Sequence, residues 1–227
     1  VGIVLAIGIL AFGAFVLLTA YFFGALVEQY QYVSMQYMQG QAAYMLDQMN
    51  LTDMVMGNVF RNVAVFLLFL IPILTMRALA EEKKGKTLEL LMTAPVRPSE
   101  IVLGKYLAAL AILAIMLLLT LVFPLLLRVY GGTQSGNMSP LDWNTIWTSY
   151  LGMFLLGASF IAIGLFASSV TENQFVAVII GFAVLLGFFV IGFSARGKEG
   201  FWLAFLEYIS ITNHLEDFIR GVVKVQA

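Results

Sequence analysis

Residues 77–105 read RALAEEKKGKTLELLMTAPVRPSEIVLGK, between two long apolar runs. The stretch holds six of the chain's twelve Lys and Arg residues (Arg77, Lys83, Lys84, Lys86, Arg97, Lys105) and four of its thirteen acids. Charge at this density cannot lie in hydrocarbon, so residues 81–100 are expected to form a water-facing loop. By the positive-inside rule that water is cytoplasmic. Within the loop, Thr87 to Thr93 reads as a short helix with Leu88, Leu91 and Met92 on one face. Gly85 loosens the chain ahead of it, and Pro95 pushes Ala94 out of the α region and ends it. An apolar stripe on a water-facing helix calls for a partner.

The composition sets the class around that loop. The chain is 61% hydrophobic and 11% charged over 227 residues, against roughly 25% charged for an ordinary soluble domain. That much apolar surface exceeds what one soluble core of this length buries, so an all-α, polytopic membrane protein is expected. The net charge of −1 argues against nucleic-acid binding. With no cysteine, disulfides, thiolate metal sites and Cys nucleophiles are excluded.

Five spans are expected, at about 1–27, 55–80, 101–127, 143–170 and 173–194, within a single domain over 1–227. The first is uncharged and long enough to cross a ~30 Å core. Loops 28–54, 128–142 and 195–227 then fall outside the cell by alternation. Glu28 to Asn58 carries no Lys or Arg, as an extracytoplasmic loop should. Arg61, near the start of the second span, is expected to snorkel to the headgroups. Pro72 is expected to kink that span. Ser99 is a candidate N-cap for the third span, Ser139-Pro140 for the fourth, and Thr171 with Gln174 forms a candidate capping box for the fifth. Near the C-terminus, Leu215, Phe218, Ile219, Val222 and Val223 make an apolar stripe, with Glu216 and Arg220 spaced to pair at i, i+4.

Three stretches resemble the permease subunits of type-2 ABC transporters, the membrane half of ATP-driven exporters. The first is Glu81-Glu82, Lys83-Lys84, Thr87-Leu88-Glu89-Leu90-Leu91 and Pro95, continued by Leu103-Gly104-Lys105-Tyr106. The second is Gly164-Leu165-Phe166-Ala167-Ser168-Ser169 followed by Thr171-Glu172-Asn173-Gln174, and the third is Phe218-Ile219-Arg220-Gly221-Val222. One departure stands out: the family commonly places Gly directly before the Thr, where this chain has Lys86. The resemblance, which extends to permeases of gliding-motility and nitrous-oxide-reductase maturation systems, implies a coupling helix that docks on a separate ABC ATPase subunit. Glu81, Glu82, Lys83, Lys84, Thr87, Leu88, Leu91 and Met92 would carry the contact. It also implies a sixth span, a second permease protomer in a homodimer, ATP hydrolysis left to the partner, and a bacterial inner membrane. No catalytic, cofactor-binding or metal-binding residue is expected in the chain itself.

Competing readings are weaker. Ala80-Glu81-Glu82-Lys83-Lys84-Gly85-Lys86-Thr87 fits a relaxed phosphate-loop pattern, but a working loop follows a buried strand and offers bare N–H groups rather than carboxylates. Met35, Met38, Met45, Met49, Met54 and Met56 are soft ligands suited to Cu(I), yet no His joins them. Ser159 lacks the following Gly and the membrane-embedded His of a rhomboid-like protease. An ion-coupled transporter wants acidic groups at mid-membrane, and the five spans have none. The runner-up function is an ATPase-coupled subunit that passes motion to an extracytoplasmic partner, through loop 28–54, without moving solute.

Overall fold

The computed structural model describes residues 2–39, 52–87, 97–131, 141–194 and 211–221, and all its regular elements there are helical. They are α1 (Gly2–Gln39), a π-helical turn (Thr52–Gly57), α2 (Asn58–Thr75), α3 (Arg77–Lys84), α4 (Pro98–Thr120), α5 (Val122–Gly131), α6 (Trp143–Val170), α7 (Gln174–Ser194) and α8 (Ile211–Ile219). Among the described residues four stretches are long and apolar enough to cross a membrane: Phe12–Gln36, Thr52–Lys84, Pro98–Val129 and Trp143–Val170. The described apolar part of α7, Gln174–Val190, is shorter. This is a polytopic helical membrane protein.

The chain forms two compact units. One comprises Val1–Ala64, Met116–Met153 and Glu216–Ala227, the other Val65–Ile115 and Phe154–Leu215. Helices α2, α4, α6 and α8 contribute residues to both. In the first unit, Phe15, Thr19 and Tyr30 of α1 are buried, while Leu10, Leu17 and Tyr21 on its other faces lie open. Phe23 stacks on Phe123 of α5 at 5.1 Å, and Phe60 meets Tyr150 edge-on at 5.0 Å. The Tyr150 hydroxyl shares a 3.1 Å hydrogen bond with Thr120, which satisfies two buried polar groups at once. In the second unit, Phe69 of α2 meets Phe182 of α7 at 4.9 Å.

One proline explains one break. Pro124 has no N–H and its ring crowds the carbonyl four residues back, so α4 stops at Thr120 and α5 restarts at Val122. Pro72 lies inside α2, which ends at Thr75, with α3 beginning after Met76. Helix α1 runs on to Gln39, so the segment after Val27 starts as helix, which Tyr, Gln and Met all tolerate.

Three helix starts differ from the sequence reading. At α4, Pro98 takes the first helical position and Glu100 reaches back to accept from the Arg97 N–H at 3.1 Å, so the cap lies before Ser99. At α6, Asp142 is the cap: its carboxylate accepts from Asn144 N at 3.1 Å and from the Thr145 hydroxyl at 2.5 Å. The Thr145 bond is the main reason that the Asp142 carboxyl is held below its ordinary pKa. Ser139-Pro140 lies outside the described residues. At α7, Asn173 caps Phe175 N at 3.0 Å, while Thr171 bonds only Asn173 N, so the Thr171–Gln174 box does not form.

Candidate functional site

The charged segment begins on α3, and its side chains divide into two sets. Glu82 forms a 2.5 Å ion pair with Lys105 of α4, and Lys105 also donates to the Ala78 carbonyl. Lys83 donates to the Ser169 carbonyl at the end of α6. These groups turn inward, where α3, α4 and α6 supply their partners. Glu81, Lys84, Lys86 and Thr87 are exposed. The Thr87 hydroxyl donates to the Glu82 carbonyl at 3.2 Å. Two buried atoms, Arg77 Nε and Glu82 Oε2, have no hydrogen-bond partner among the described residues. The structure therefore brings Glu82 and Lys83 into internal contacts and leaves Glu81, Lys84 and Thr87 open. Leu88, Leu91 and Met92, with the helix expected over Thr87 to Thr93, lie outside the described residues.

The turn after α3 accounts for the departure at Lys86. Gly85 has ordinary right-handed geometry (φ −81°, ψ −1°), and the left-handed position falls on Lys86, at φ 54°. Left-handed backbone costs a side-chain-bearing residue roughly 1–2 kcal/mol, and glycine avoids that cost. The greater freedom of glycine in the unfolded chain returns about 0.5–1 kcal/mol of it. Lys86→Gly is therefore expected to stabilise the fold by up to about 1 kcal/mol, raising the thermal midpoint in detergent. Lys86→Val should lower it. A midpoint lowered by the glycine would show that the Lys86 side chain matters more than its backbone.

The junction of α2 with α3 is held by a residue of α6. Ser168 is fully buried. Its hydroxyl oxygen accepts from Leu79 N at 3.1 Å and Ala80 N at 3.0 Å, and the hydroxyl donates to the Met76 carbonyl at 3.0 Å. Met76, the residue preceding α3, offers no side-chain cap of its own. One turn back on α6, Gly164 faces Thr75, and a Cβ there would overlap the Thr75 hydroxyl. The sequence marks Gly164 to Ser169 only as a motif; nothing in it says which helix the serine meets.

A second constellation lies in the first unit. Arg61 binds Glu216 with two parallel bonds, Nε to Oε1 at 2.9 Å and one Nη to Oε2 at 3.0 Å, and its other Nη donates to Asn58 Oδ1 at 3.0 Å. The Arg61 guanidinium is thus held by a protein carboxylate, and Glu216 serves α2 rather than Arg220. The pairing across 155 residues fixes α8 against α2. The Thr148 and Ser149 hydroxyls of α6 donate to the Phe218 carbonyl at 3.2 and 3.5 Å. Leu215 and Ile219 of the expected stripe are buried, Phe218 half-buried, and Val222 and Val223 lie outside the described residues. Arg61, the one charge between Met54 and Met76, was the available signal that a carboxylate must come from elsewhere.

The phosphate-loop and protease candidates lack the structural context they need. Ala80 to Lys84 are helical and follow a helix, which is not the strand-led context of a phosphate loop. Ser159 donates to the Leu155 carbonyl of its own helix at 3.0 Å. Among the described residues no three His, Cys, Asp or Glu side chains gather as a metal would require; Met45 and Met49 lie outside them.

The family model described as ABC-2 family transporter protein matches residues 6–227. The chain belongs to the ABC-2 transporter family. Comparison with curated proteins and with solved structures returns no match. As an ABC-2 permease subunit it is a membrane transport component, and the family implies an ABC ATPase partner as well as the bilayer.

Proposed function

We propose that the protein couples a separate ATPase subunit to export of a substrate, with residues 81–100 as the contact on the cytoplasmic side of a bacterial inner membrane. Two copies form a homodimer with the transport path between them. The observation that carries the reading is the division of charges on α3. Glu82 and Lys83 are tied to α4 and α6, so a push on the exposed Glu81, Lys84 and Thr87 passes directly into the membrane helices. A partner that drives transport needs this combination of an open tip and an anchored root.

The test uses the apolar stripe. Burying a leucine is worth roughly 1.5–3 kcal/mol, and each 1.4 kcal/mol is about tenfold in affinity. Leu91→Arg is expected to weaken association with the ATPase at least tenfold, while membrane insertion and yield stay unchanged. Co-purification and nucleotide hydrolysis by the complex are the readouts. Full binding with full hydrolysis would remove the stripe from the interface.

A second reading is favoured by one feature. Helix α1 has 38 residues, about 57 Å at 1.5 Å per residue, against a hydrocarbon core of ~30 Å. Tyr32 and Met35, near its far end, are exposed. That surface suits an extracytoplasmic partner moved by the ATPase without solute transport. Similarity to gliding-motility and nitrous-oxide-reductase maturation permeases is compatible with both readings, which share the same coupling segment.

A further inference from the structure

The hydroxyl of Ser168 sits inside another helix's hydrogen-bond ladder. Ala80 N–H and Met76 C=O are four residues apart, the pair that an uninterrupted helix joins directly. Here the two are bridged: Ala80 N–H donates to Ser168 Oγ, and the Ser168 hydroxyl donates to the Met76 carbonyl. Leu79 N–H supplies a further bond to the same oxygen. A serine hydroxyl has one donor and two acceptor positions, and this break occupies all three. A side chain inserted into the i→i−4 ladder is a recognised cause of a sharp helix bend.

The surroundings prepare the insertion. Pro72 deprives α2 of one ladder bond just upstream. Thr75 donates back to the Ile71 carbonyl at 2.9 Å, a contact that bends helices. Gly164 lies four residues before Ser168 and so on the same face of α6. Lacking a side chain, it lets Thr75 approach closely. On the far side, Gly181 of α7 faces Ala167 and Pro72, with room for a Cβ only at 3.5–3.6 Å from them.

The same groups have a second satisfied arrangement. Were Ser168 withdrawn, Ala80 N–H could bond Met76 C=O directly and Leu79 N–H could bond Thr75 C=O. The serine hydroxyl could then donate to the carbonyl four residues back on its own helix, as buried helical serines do. Neither arrangement leaves a buried donor orphaned. An element with two fully hydrogen-bonded states is what a two-state switch requires. We infer that Ser168 is the positioning residue of the coupling segment: its hydroxyl sets the angle at which α3 leaves α2, and its withdrawal straightens the junction. The inference deepens the coupling function proposed above and rests on it for its role in the transport cycle.

The chain has no cysteine, so two spin labels can be placed cleanly, at Lys84→Cys on α3 and Glu172→Cys beyond α6, both exposed positions. Their distance distribution, measured in the permease alone, is expected to move by several ångströms or broaden markedly in Ser168→Ala, and to return to the unsubstituted profile in Ser168→Thr, which keeps the hydroxyl. An unchanged distribution in Ser168→Ala, or equal shifts in both variants, overturns the inference. Should Ser168→Ala fail to accumulate, hydrogen exchange over residues 76–84 in the native permease–ATPase complex decides. Protection there is expected to change severalfold between the nucleotide-free state and a non-hydrolysable ATP analogue, and equal protection in both overturns it. The label distances need no ATPase, so this inference and the coupling function can fail separately.

Discussion

Arg61→Ala is expected to destabilise the protein by about 1.5–3 kcal/mol, between the values for exposed and buried ion pairs. The intermediate figure follows from exposure: the Arg61 side chain is 40% exposed and that of Glu216 21%. The substitution leaves the Glu216 carboxylate beside apolar helices without its bidentate partner, and also frees Asn58 Oδ1. Arg61→Lys should recover only part of the loss, because a lysine cannot present two parallel N–H groups to one carboxylate. The exchange Arg61→Glu with Glu216→Arg should recover more than either single change. Thermal midpoints in detergent measure all five variants. A charge exchange no better than the single substitutions would show that the pair contributes little.

Gly152→Val is expected to do at least as much harm, by about 3 kcal/mol, the upper end for overpacking. A Cβ at residue 152 would stand 2.5 Å from Phe218 Cβ, close to the backbone of α8 rather than at a flexible tip. Phe218 cannot easily withdraw, since its carbonyl takes hydrogen bonds from Thr148 and Ser149. Helix α8 must therefore shift as a body, which also pulls Glu216 from Arg61. Combining Gly152→Val with Arg61→Ala should accordingly cost less than the two changes added together. Strict additivity would mean that α8 stays docked in the glycine variant, against this account. Gly152→Ala should fall between glycine and valine.

The two cases mark where sequence reasoning stops. The helical class and the placement of charge outside the spans follow from long apolar runs, because a backbone in lipid has few options. Local rules then mislead at caps and charges. Arg97 and Pro98 start α4 where Ser99 has the better capping propensity, because Glu100 supplies the missing acceptor. Glu216 has Arg220 one turn away, yet it binds an arginine 155 residues distant. Spacing rules rank neighbours along one helix and cannot see a partner brought by another. Ser168 is the extreme instance: within its own helix it looks like a packing residue, and its function lies wholly in α3. The charged segment itself was legible as a cluster between two apolar runs. That Glu82 and Lys83 face inward while Glu81 and Lys84 face out depends on Lys105 and Ser169, which the segment alone does not reveal.

The reach of the Arg61–Glu216 pair also has a consequence for biosynthesis. At about 5–20 residues per second, the ribosome takes on the order of 8–30 s to make the 155 residues that separate the two. Through that interval α2 has already entered the bilayer with a guanidinium whose partner does not yet exist. The nascent protein must shelter that charge at the insertion machinery, at the lipid headgroups or on an assembly factor until α8 emerges. A chain arrested before Glu216 would carry the unpaired cation permanently.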